Sequence, residues 1–211
     1  MRERWEFGRL AARTARLALL VCLTLAAAGC QAFPGSTAPV IRIGLVAPFE
    51  GRHRPVGYDV IYAARLAVRE WNGRGGVGGY RVELVAIDDG GDIERAVRAA
   101  QSLVIDPQVV GVLGHWLEET TTAASPTYAE AGLALVPTSA DAAAATAAAP
   151  PPEGFADRYR DVAPLGELPG PYALAAYQVA NRLVEAIGES IAAGGKPTRA
   201  GVLTALSATE P

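Results

Sequence analysis

The chain has 211 residues, half of them hydrophobic, with 19 basic and 22 acidic side chains. This length accommodates one domain or two small ones, and the composition supports a hydrophobic core. The acidic balance and the absence of a basic stripe exclude a nucleic-acid partner, because phosphate binding needs clustered Lys or Arg.

The first 29 residues have the pattern of an export signal. Five arginines precede an apolar stretch at 17–25, and small residues at 26–29 lead to Cys30. The apolar stretch is shorter than the roughly 20 residues that span a bilayer, so a secretory signal is predicted. An uncleaved N-terminal membrane anchor is the alternative. The ending Ala-Ala-Gly-Cys resembles a bacterial lipobox, although Ala27 stands where Leu is usual; it implies cleavage after Gly29 and acylation of Cys30.

Cysteine usage and charge agree with export. Removing residues 1–29 takes five arginines and two glutamates from the totals of 19 and 22, which leaves 14 basic and 20 acidic side chains. With Cys22 inside the signal and Cys30 as the lipid site, no cysteine pair remains for a disulfide or a metal site.

From residue 40 onwards, after a tether at 30–39, apolar strands alternate with amphipathic helices. The predicted strands are 40–48, 80–87, 109–113 and 133–136, and the predicted helices are 57–72, 93–105 and 120–131. Asp92 is the expected N-cap of the second helix. This alternation predicts an α/β fold, a single Rossmann-like lobe of three layers with a central parallel sheet.

The pattern changes after residue 140. Residues 141–152 are mostly alanine and end in three prolines, which is typical of a linker. Beyond it we predict a helical turn or two at 155–160, a strong amphipathic helix at 172–191, and a short last helix capped by Thr198.

No catalytic or metal-binding constellation is apparent. The glycine-rich run 73–79 follows a helix and precedes a strand, so it predicts a turn rather than a phosphate loop. Asp88 and Asp89 could hold a cation, but solvated loop acids with a cap or hinge role fit better. Neither His53 nor His115 has a Ser, Cys or Asp arrangement typical of a triad. An enzyme is not predicted, and neither is a cofactor or a metal.

One loop is placed where α/β folds bind ligands. Residues 115–122 follow the third strand and open a helix, where backbone amides are free. Trp116 could stack on a ligand there. Alternatively, it packs on a neighbouring loop while Glu118 and Glu119 only favour the helix dipole.

Several segments together resemble the leucine/isoleucine/valine-binding proteins of branched-chain amino acid ABC transporters, which are type I periplasmic binding proteins. They are IRIGLVAP at 41–48, ARLAVREWN at 64–72, GGVGG at 75–79, ELV at 83–85 with the following two aspartates, AVRAAQSL at 96–103, VLGH at 112–115, and EAG at 130–132. The resemblance runs from about residue 40 to 140, and 155–206 resembles the stretch that returns to the same lobe.

That family has two lobes around a cleft, so the resemblance implies an N-terminal lobe whose partner lobe is missing. The implied organisation is a lipoprotein signal at 1–29, a tether at 30–39, a first part of the lobe at 40–140, a linker at 141–154 in place of the second lobe, and a returning segment of the same lobe at 155–211.

The resemblance also implies where a ligand would bind. The loops after the third and fourth strands supply the positions Trp116, Leu117, Glu118, Ser139, Ala140 and Asp141. Glu118 matches a family Ser, and Asp141 ends a triplet that matches small-small-Thr. Val56 replaces an aromatic residue in the loop after the first strand. Since two acids would repel a ligand carboxylate, amino-acid binding in the family's manner is in doubt.

The implied function is a lipid-anchored, extracytoplasmic solute-binding protein in one-lobe form. Its expected partners are a small polar ligand such as an amino acid or amide, an ABC transporter permease, and the membrane through the anchor. The rival hypotheses are a protein-interaction module that docks through the bare cleft face, and a non-functional remnant of an internal deletion.

Acylation of Cys30 is directly testable. We expect the membrane-extracted protein to begin at Cys30 and to carry the added mass of acyl chains, because each buried methylene contributes about 0.8 kcal/mol to membrane binding. Intact-mass spectrometry measures this, and Cys30→Ser should release the protein from the membrane. A Cys22→Ser variant is the matched control and should stay bound. A Cys30→Ser protein that remains in the membrane fraction would contradict the anchor.

Overall fold

The computed structural model describes residues 38–137 and 150–208. Within them the strands are β1 (Val40–Ala47), β2 (Arg81–Asp88), β3 (Val109–Leu113) and β4 (Ala134–Val136). The helices are α1 (Arg54–Gly73), α2 (Ile93–Val104), α3 (Glu118–Glu130), α4 (Phe155–Arg160), α5 (Ala173–Gly194) and α6 (Arg199–Ser207). Single 3-10 turns lie at Gly51–His53 and Pro164–Gly166.

The four strands form one parallel sheet in the order β2-β1-β3-β4. The predicted α/β lobe with a central parallel sheet is therefore confirmed. Each of β1, β2 and β3 is followed by a helix that leads to the next strand, as parallel pairing requires. The turn predicted at the glycine-rich run is also present, closed by an isolated bridge between Val77 and Tyr80.

Both faces of the sheet are covered, which divides the interior into two cores. Ile43 and Leu45 are fully buried on the face that α1 and α5 cover. Val46 points to the other face, where α2 and α3 pack. Gly44 lies so close to α2 that an added Cβ would stand 2.7 Å from Leu103. This is the three-layer arrangement expected when strands are apolar on both sides.

Two helices begin earlier than the sequence predicted. The α1 helix begins at Arg54, with a proline in its first turn, a position where the missing N–H is no loss. Val56, expected in the loop after the first strand, is therefore a buried residue of α1. The α3 helix begins at Glu118 rather than at residue 120, so that Glu118 lies in its first turn. The predicted N-cap of α2 is confirmed, because the Asp92 side chain accepts the N–H of Arg95.

Polar contacts join the C-terminal helices to α1. Glu70 accepts hydrogen bonds from Arg158 at 2.8 Å and from the Tyr177 hydroxyl at 2.6 Å. The indole N–H of Trp71 donates to the Asn181 side chain at 2.9 Å. These partners are about 90 to 110 residues apart in the chain, so they fix how residues 155–194 sit on the first helix.

The α5 helix also reaches the sheet itself. Leu183 is fully buried, and an added Cβ at Gly111 in β3 would stand 2.6 Å from its side chain. The α6 helix follows on and is tied to the start of β3, because Arg199 donates to the carbonyl oxygens of Val109, Val104 and Asp106. The stretch beyond residue 155 thus contributes to the same core as β1 and β3.

Several predictions lie outside the described residues. The signal and lipid site at 1–30, and the alanine-rich part of the linker at 141–149, are among them. Residues 150–152, the three prolines of the predicted linker, carry no regular secondary structure. The domain limits stay a prediction. In the ranges 38–137 and 150–208 no helix combines the length and the apolarity that crossing a bilayer requires.

Removing the contact between α5 and the sheet tests how far the core depends on the C-terminal helices. Leu183→Ala should lower the free energy of unfolding by about 2–5 kcal/mol, the range for a buried leucine that leaves a cavity. The matched control is Leu203→Ala in α6, where the side chain is 38% exposed and about 0.5 kcal/mol is expected. Denaturant unfolding measures both. Equal effects of the two changes would show that α5 adds little to the core.

Candidate functional site

The carboxyl ends of the four parallel strands meet at one edge of the sheet, which is where ligands bind in open α/β folds. In this chain the edge carries the segments that follow Ala47, Asp88, Leu113 and Val136. The first three of these loops are described by the structure. The segment after β4 is described only as far as Pro137.

Asp88 holds two loops in place through hydrogen bonds and an ion pair. One carboxylate oxygen accepts the backbone N–H groups of Phe49 at 2.7 Å and Gly90 at 2.9 Å. The other forms an ion pair with Arg95. These contacts join the ends of β1 and β2, so Asp88 fixes the loops that follow the two strands. Across the described residues no group of three or more potential metal ligands occurs.

Asp89 departs from the sequence prediction. It was expected to be a solvated loop acid, but its side chain is fully buried and accepts a bond from His115 Nδ1 at 2.8 Å. Its other oxygen accepts the N–H of Gly91 at 2.9 Å. The sequence did not indicate this pairing, because the two residues are 26 positions apart and only the fold brings them together.

Tyr128 completes a buried row of three polar side chains. Its hydroxyl lies 3.2 Å from His115 Nε2, and burial, with the nearby Asp89 charge, raises the pKa of the phenol. The Asp89 carboxylate can only accept, so Nδ1 carries the hydrogen on that side. The Tyr128 hydroxyl is the partner of the second ring nitrogen, Nε2. We call Asp89, His115 and Tyr128 the buried row.

The buried row is not a hydrolytic triad. Its outer member is a tyrosine inside the core rather than an exposed Ser or Cys, and the His115 and Tyr128 side chains are both about 99% buried. A nucleophile must be able to reach its substrate. The row instead fixes the β3–α3 loop. Its one trace in the sequence is position, since Asp89 and His115 lie within two residues of the ends of β2 and β3.

The main chain of the same loop is held from α3. The Thr121 hydroxyl donates to the carbonyl oxygens of His115 at 2.9 Å and Leu117 at 2.8 Å, and Thr120 also donates to Leu117 at 3.0 Å. Leu117 is the N-cap residue and supplies no side-chain cap to the described part of α3. The Leu117 side chain therefore provides no hydrogen-bond acceptor for the backbone N–H groups in the first turn of α3.

The three predicted site residues of the β3–α3 loop differ in how far their side chains are buried. Trp116 is only 4% exposed and joins the main core, Leu117 is half-buried, and Glu118 is exposed. Leu117 packs close to Gly91 in the loop after β2, where an added Cβ would be 2.9 Å from its side chain. Ser139, Ala140 and Asp141 lie outside the described residues, so half of the predicted set has no described position.

The burial of Trp116 leaves one polar atom without a partner. Its indole Nε1 is buried and has no hydrogen-bond acceptor within residues 38–137 and 150–208. A buried donor without a partner costs about 1–3 kcal/mol, and such groups in native folds call for an explanation. Trp116 is thus buried in the main core, and its indole donor has no partner among the residues that the structure describes.

The last position that the family resemblance singled out, residue 56, has a structural role. Val56 is buried in the main core and does not face a ligand loop. Arg52, His53 and Arg54 lie at or just before the start of α1 and contact side chains of their own segment: Arg52 donates to His53 at 2.7 Å, and Arg54 stacks over the ring of Tyr58.

A family model for periplasmic binding proteins matches residues 40–152, which is more than half of the chain. The chain belongs to the periplasmic binding protein family. It is a type I member related to the binding proteins of branched-chain amino acid transporters. The match begins at β1 and runs past the alanine-rich segment, so it includes the sheet and the three loops described above.

Two curated relatives show the extent of the likeness. An amino acid binding protein from Pseudomonas aeruginosa is 32% identical over 94 residues, which cover 44% of this chain and 25% of the relative. The Leu/Ile/Val-binding protein of Escherichia coli is 31% identical over 123 residues, covering 57% of this chain and 33% of the relative. The chain spans about a quarter to a third of the length of these relatives, and both are named as binding proteins rather than enzymes.

A solved structure extends the likeness in fold. A protein from Rhodospirillum rubrum, provisionally described as a branched-chain amino acid ABC transporter, superposes with a TM-score of 0.64. The superposition covers 81% of this chain and 89% of the other at 17% identity. At that identity the likeness shows the fold alone. The superposed part is longer than the stretch that the family model matches.

Gly114, at the start of the β3–α3 loop, offers a test of how tightly this edge is built. Its φ is +111°, and an added Cβ would stand 2.2 Å from the carbonyl oxygen of Val46. Gly114→Ala should therefore cost about 3 kcal/mol or more of stability, from the unfavourable φ and the clash together.

Gly132→Ala is the matched control, because Gly132 has a φ of +60° with open space around it. It should lose only the conformational part, about 1–2 kcal/mol. Thermal or denaturant unfolding of both variants gives the comparison. If the two variants lose the same amount of stability, the main chain at Gly114 is packed less tightly than its distance to Val46 indicates.

Proposed function

We propose that this protein is an extracytoplasmic, lipid-anchored solute-binding protein in one-lobe form. Its proposed ligand is a small polar molecule such as an amino acid or amide, bound at the carboxyl edge of the sheet. The observation that carries the proposal is the β3–α3 loop, which is fixed from three sides and lies within the stretch that matches the family. Members of the family act outside the cytoplasm, which agrees with the predicted signal.

The proposed contacts come from the loops after β3 and β4. Trp116, Leu117 and Glu118 belong to the first loop, and Ser139, Ala140 and Asp141 to the second. The first turn of α3, which the Leu117 side chain does not cap, adds backbone donors that could meet an oxygen of the ligand. The likeness to Leu/Ile/Val-binding proteins makes leucine the first probe to test.

Affinity is expected to be low. A small-molecule site in a protein normally buries most of its ligand's surface, and closure of a second lobe supplies half of those contacts in hinged binding proteins. A single lobe leaves the ligand half-solvated. We therefore propose that leucine binds with a Kd of about 1 mM or weaker, a binding free energy of roughly 4 kcal/mol.

The acids at the site favour a ligand without a carboxylate. Glu118 is exposed in the first turn of α3, and Asp141 is the second acid of the proposed set. Two like charges 4 Å apart repel by about 1 kcal/mol in water. A ligand that carries an amide in place of the carboxylate avoids this repulsion, so amino-acid amides are the preferred class.

The lipid anchor and the permease belong to the same proposal. The lipobox-like ending at Cys30 would hold the lobe at the outer face of the membrane. A permease in that membrane would then be the partner that receives the ligand. If no small molecule binds, the cleft face remains available to a protein partner, which is the alternative function.

Titration with leucine and leucinamide tests the proposed ligand class. Leucinamide should bind about fivefold more tightly than leucine, the factor that 1 kcal/mol represents. Glu118→Gln should narrow this ratio because it removes one like charge. Glu119→Gln is the matched control: it removes the neighbouring exposed acid, which is not in the proposed set. Chemical-shift titration by NMR suits millimolar affinities, and leucine binding at micromolar Kd would overturn the one-lobe account.

A further inference from the structure

The buried row joins three separate parts of the lobe. Asp89 follows β2, His115 follows β3, and Tyr128 lies in the third turn of α3. Asp89 and Tyr128 each bond to one nitrogen of the His115 ring, at 2.8 and 3.2 Å. From the other side, the Thr121 hydroxyl donates to the His115 carbonyl at 2.9 Å. Both the ring and the main chain of His115 are therefore held.

The next residue after this fixed point is Trp116. Its side chain is 4% exposed, and its indole N–H has no acceptor in the described parts of the chain. The contrast with Trp71 is informative, because that indole donates to Asn181 at 2.9 Å. Of the two tryptophans that the structure describes, one has a satisfied donor and the other, at the edge where ligands bind in this fold class, does not.

We propose that Asp89, His115 and Tyr128 are positioning residues of the ligand site, which hold Trp116 so that its indole N–H donates to an acceptor oxygen of the ligand. The inference rests on the proposed function and deepens it. It assigns Trp116 a polar contact in place of stacking, and it gives the buried row a role beyond packing.

The chemistry of the donor narrows the ligand. An indole N–H donates one hydrogen bond and carries no charge, so a neutral carbonyl oxygen is a sufficient partner. With Glu118 exposed two residues further on, a carboxylate is disfavoured and an amide carbonyl is favoured. Leucinamide is therefore the probe, and leucine the comparison.

The experiment follows the indole signals of the ¹⁵N-labelled full-length chain in detergent micelles. The sequence contains three tryptophans, Trp5, Trp71 and Trp116, and Trp→Phe variants assign their signals. In the free protein, Trp71 should have the shift of a bonded indole and Trp116 that of an unbonded one. Leucinamide should move the Trp116 signal towards the bonded position and leave Trp71 unchanged.

Two conservative variants test the positioning role. Tyr128→Phe removes the bond to His115 Nε2, and Asp89→Asn replaces the carboxylate that accepts from Nδ1 by a weaker, neutral acceptor; each changes the shape little. Both should move the Trp116 signal in the free protein and weaken leucinamide binding by about tenfold, as loss of outer-shell partners does at other sites. Val202→Ala is the control: it truncates a fully buried side chain in α6, so it should lower stability without either effect.

The outcomes separate this inference from the proposed function. If neither conservative variant moves the free Trp116 signal, the positioning role is overturned. If leucinamide shifts other amides but not the Trp116 indole, ligand binding stands and the donor role is wrong. If no signal responds to leucinamide or leucine, the proposed function fails, while the free-protein spectra still decide whether the buried row positions Trp116.

Discussion

The rest of the structure depends on burying a parallel sheet whose strands are apolar on both faces. Ile43 and Val46 of β1 point into opposite cores, so helices are needed on each side. The first three helices do not suffice, because α2 and α3 share one face and leave α1 largely alone on the other. The α5 helix completes that face. A stretch from beyond the alanine-rich segment therefore belongs to the core of the lobe.

The same constraint creates the candidate site. Parallel strands end at one edge, and the loops that leave them must satisfy their backbone groups where no further strand can pair. Asp88 and the buried row supply those partners: Asp88 joins the ends of β1 and β2, and the row joins the loop after β2 to that after β3. A rigid edge of this kind is what a small-molecule site requires, since ligand contacts must be held in place before binding.

The likeness to the family and two features of this chain's own site favour different classes of ligand. The fold and the loop positions follow the family. Glu118, which is exposed, and the indole of Trp116, which has no acceptor in residues 38–137 and 150–208, are features of the site itself. The first limits which charges a ligand can carry, and the second leaves a donor unused. Together they favour a neutral acceptor over a carboxylate, which is why the proposed ligand class differs from the amino acids in the names of the relatives.

The sequence by itself determined the fold class and most element positions, because apolar periodicity, the Asp92 cap and the glycine turn act locally. It also located the loop at 115–122, since strand-to-helix junctions mark the ligand edge. Only the tertiary structure decided what that loop contains. The pairing of Asp89 with His115 across 26 residues, the burial of Trp116 and the contacts of Glu70 with Arg158 and Tyr177 all join distant segments. No local pattern encodes such contacts, because they depend on which strands become neighbours once the sheet has formed.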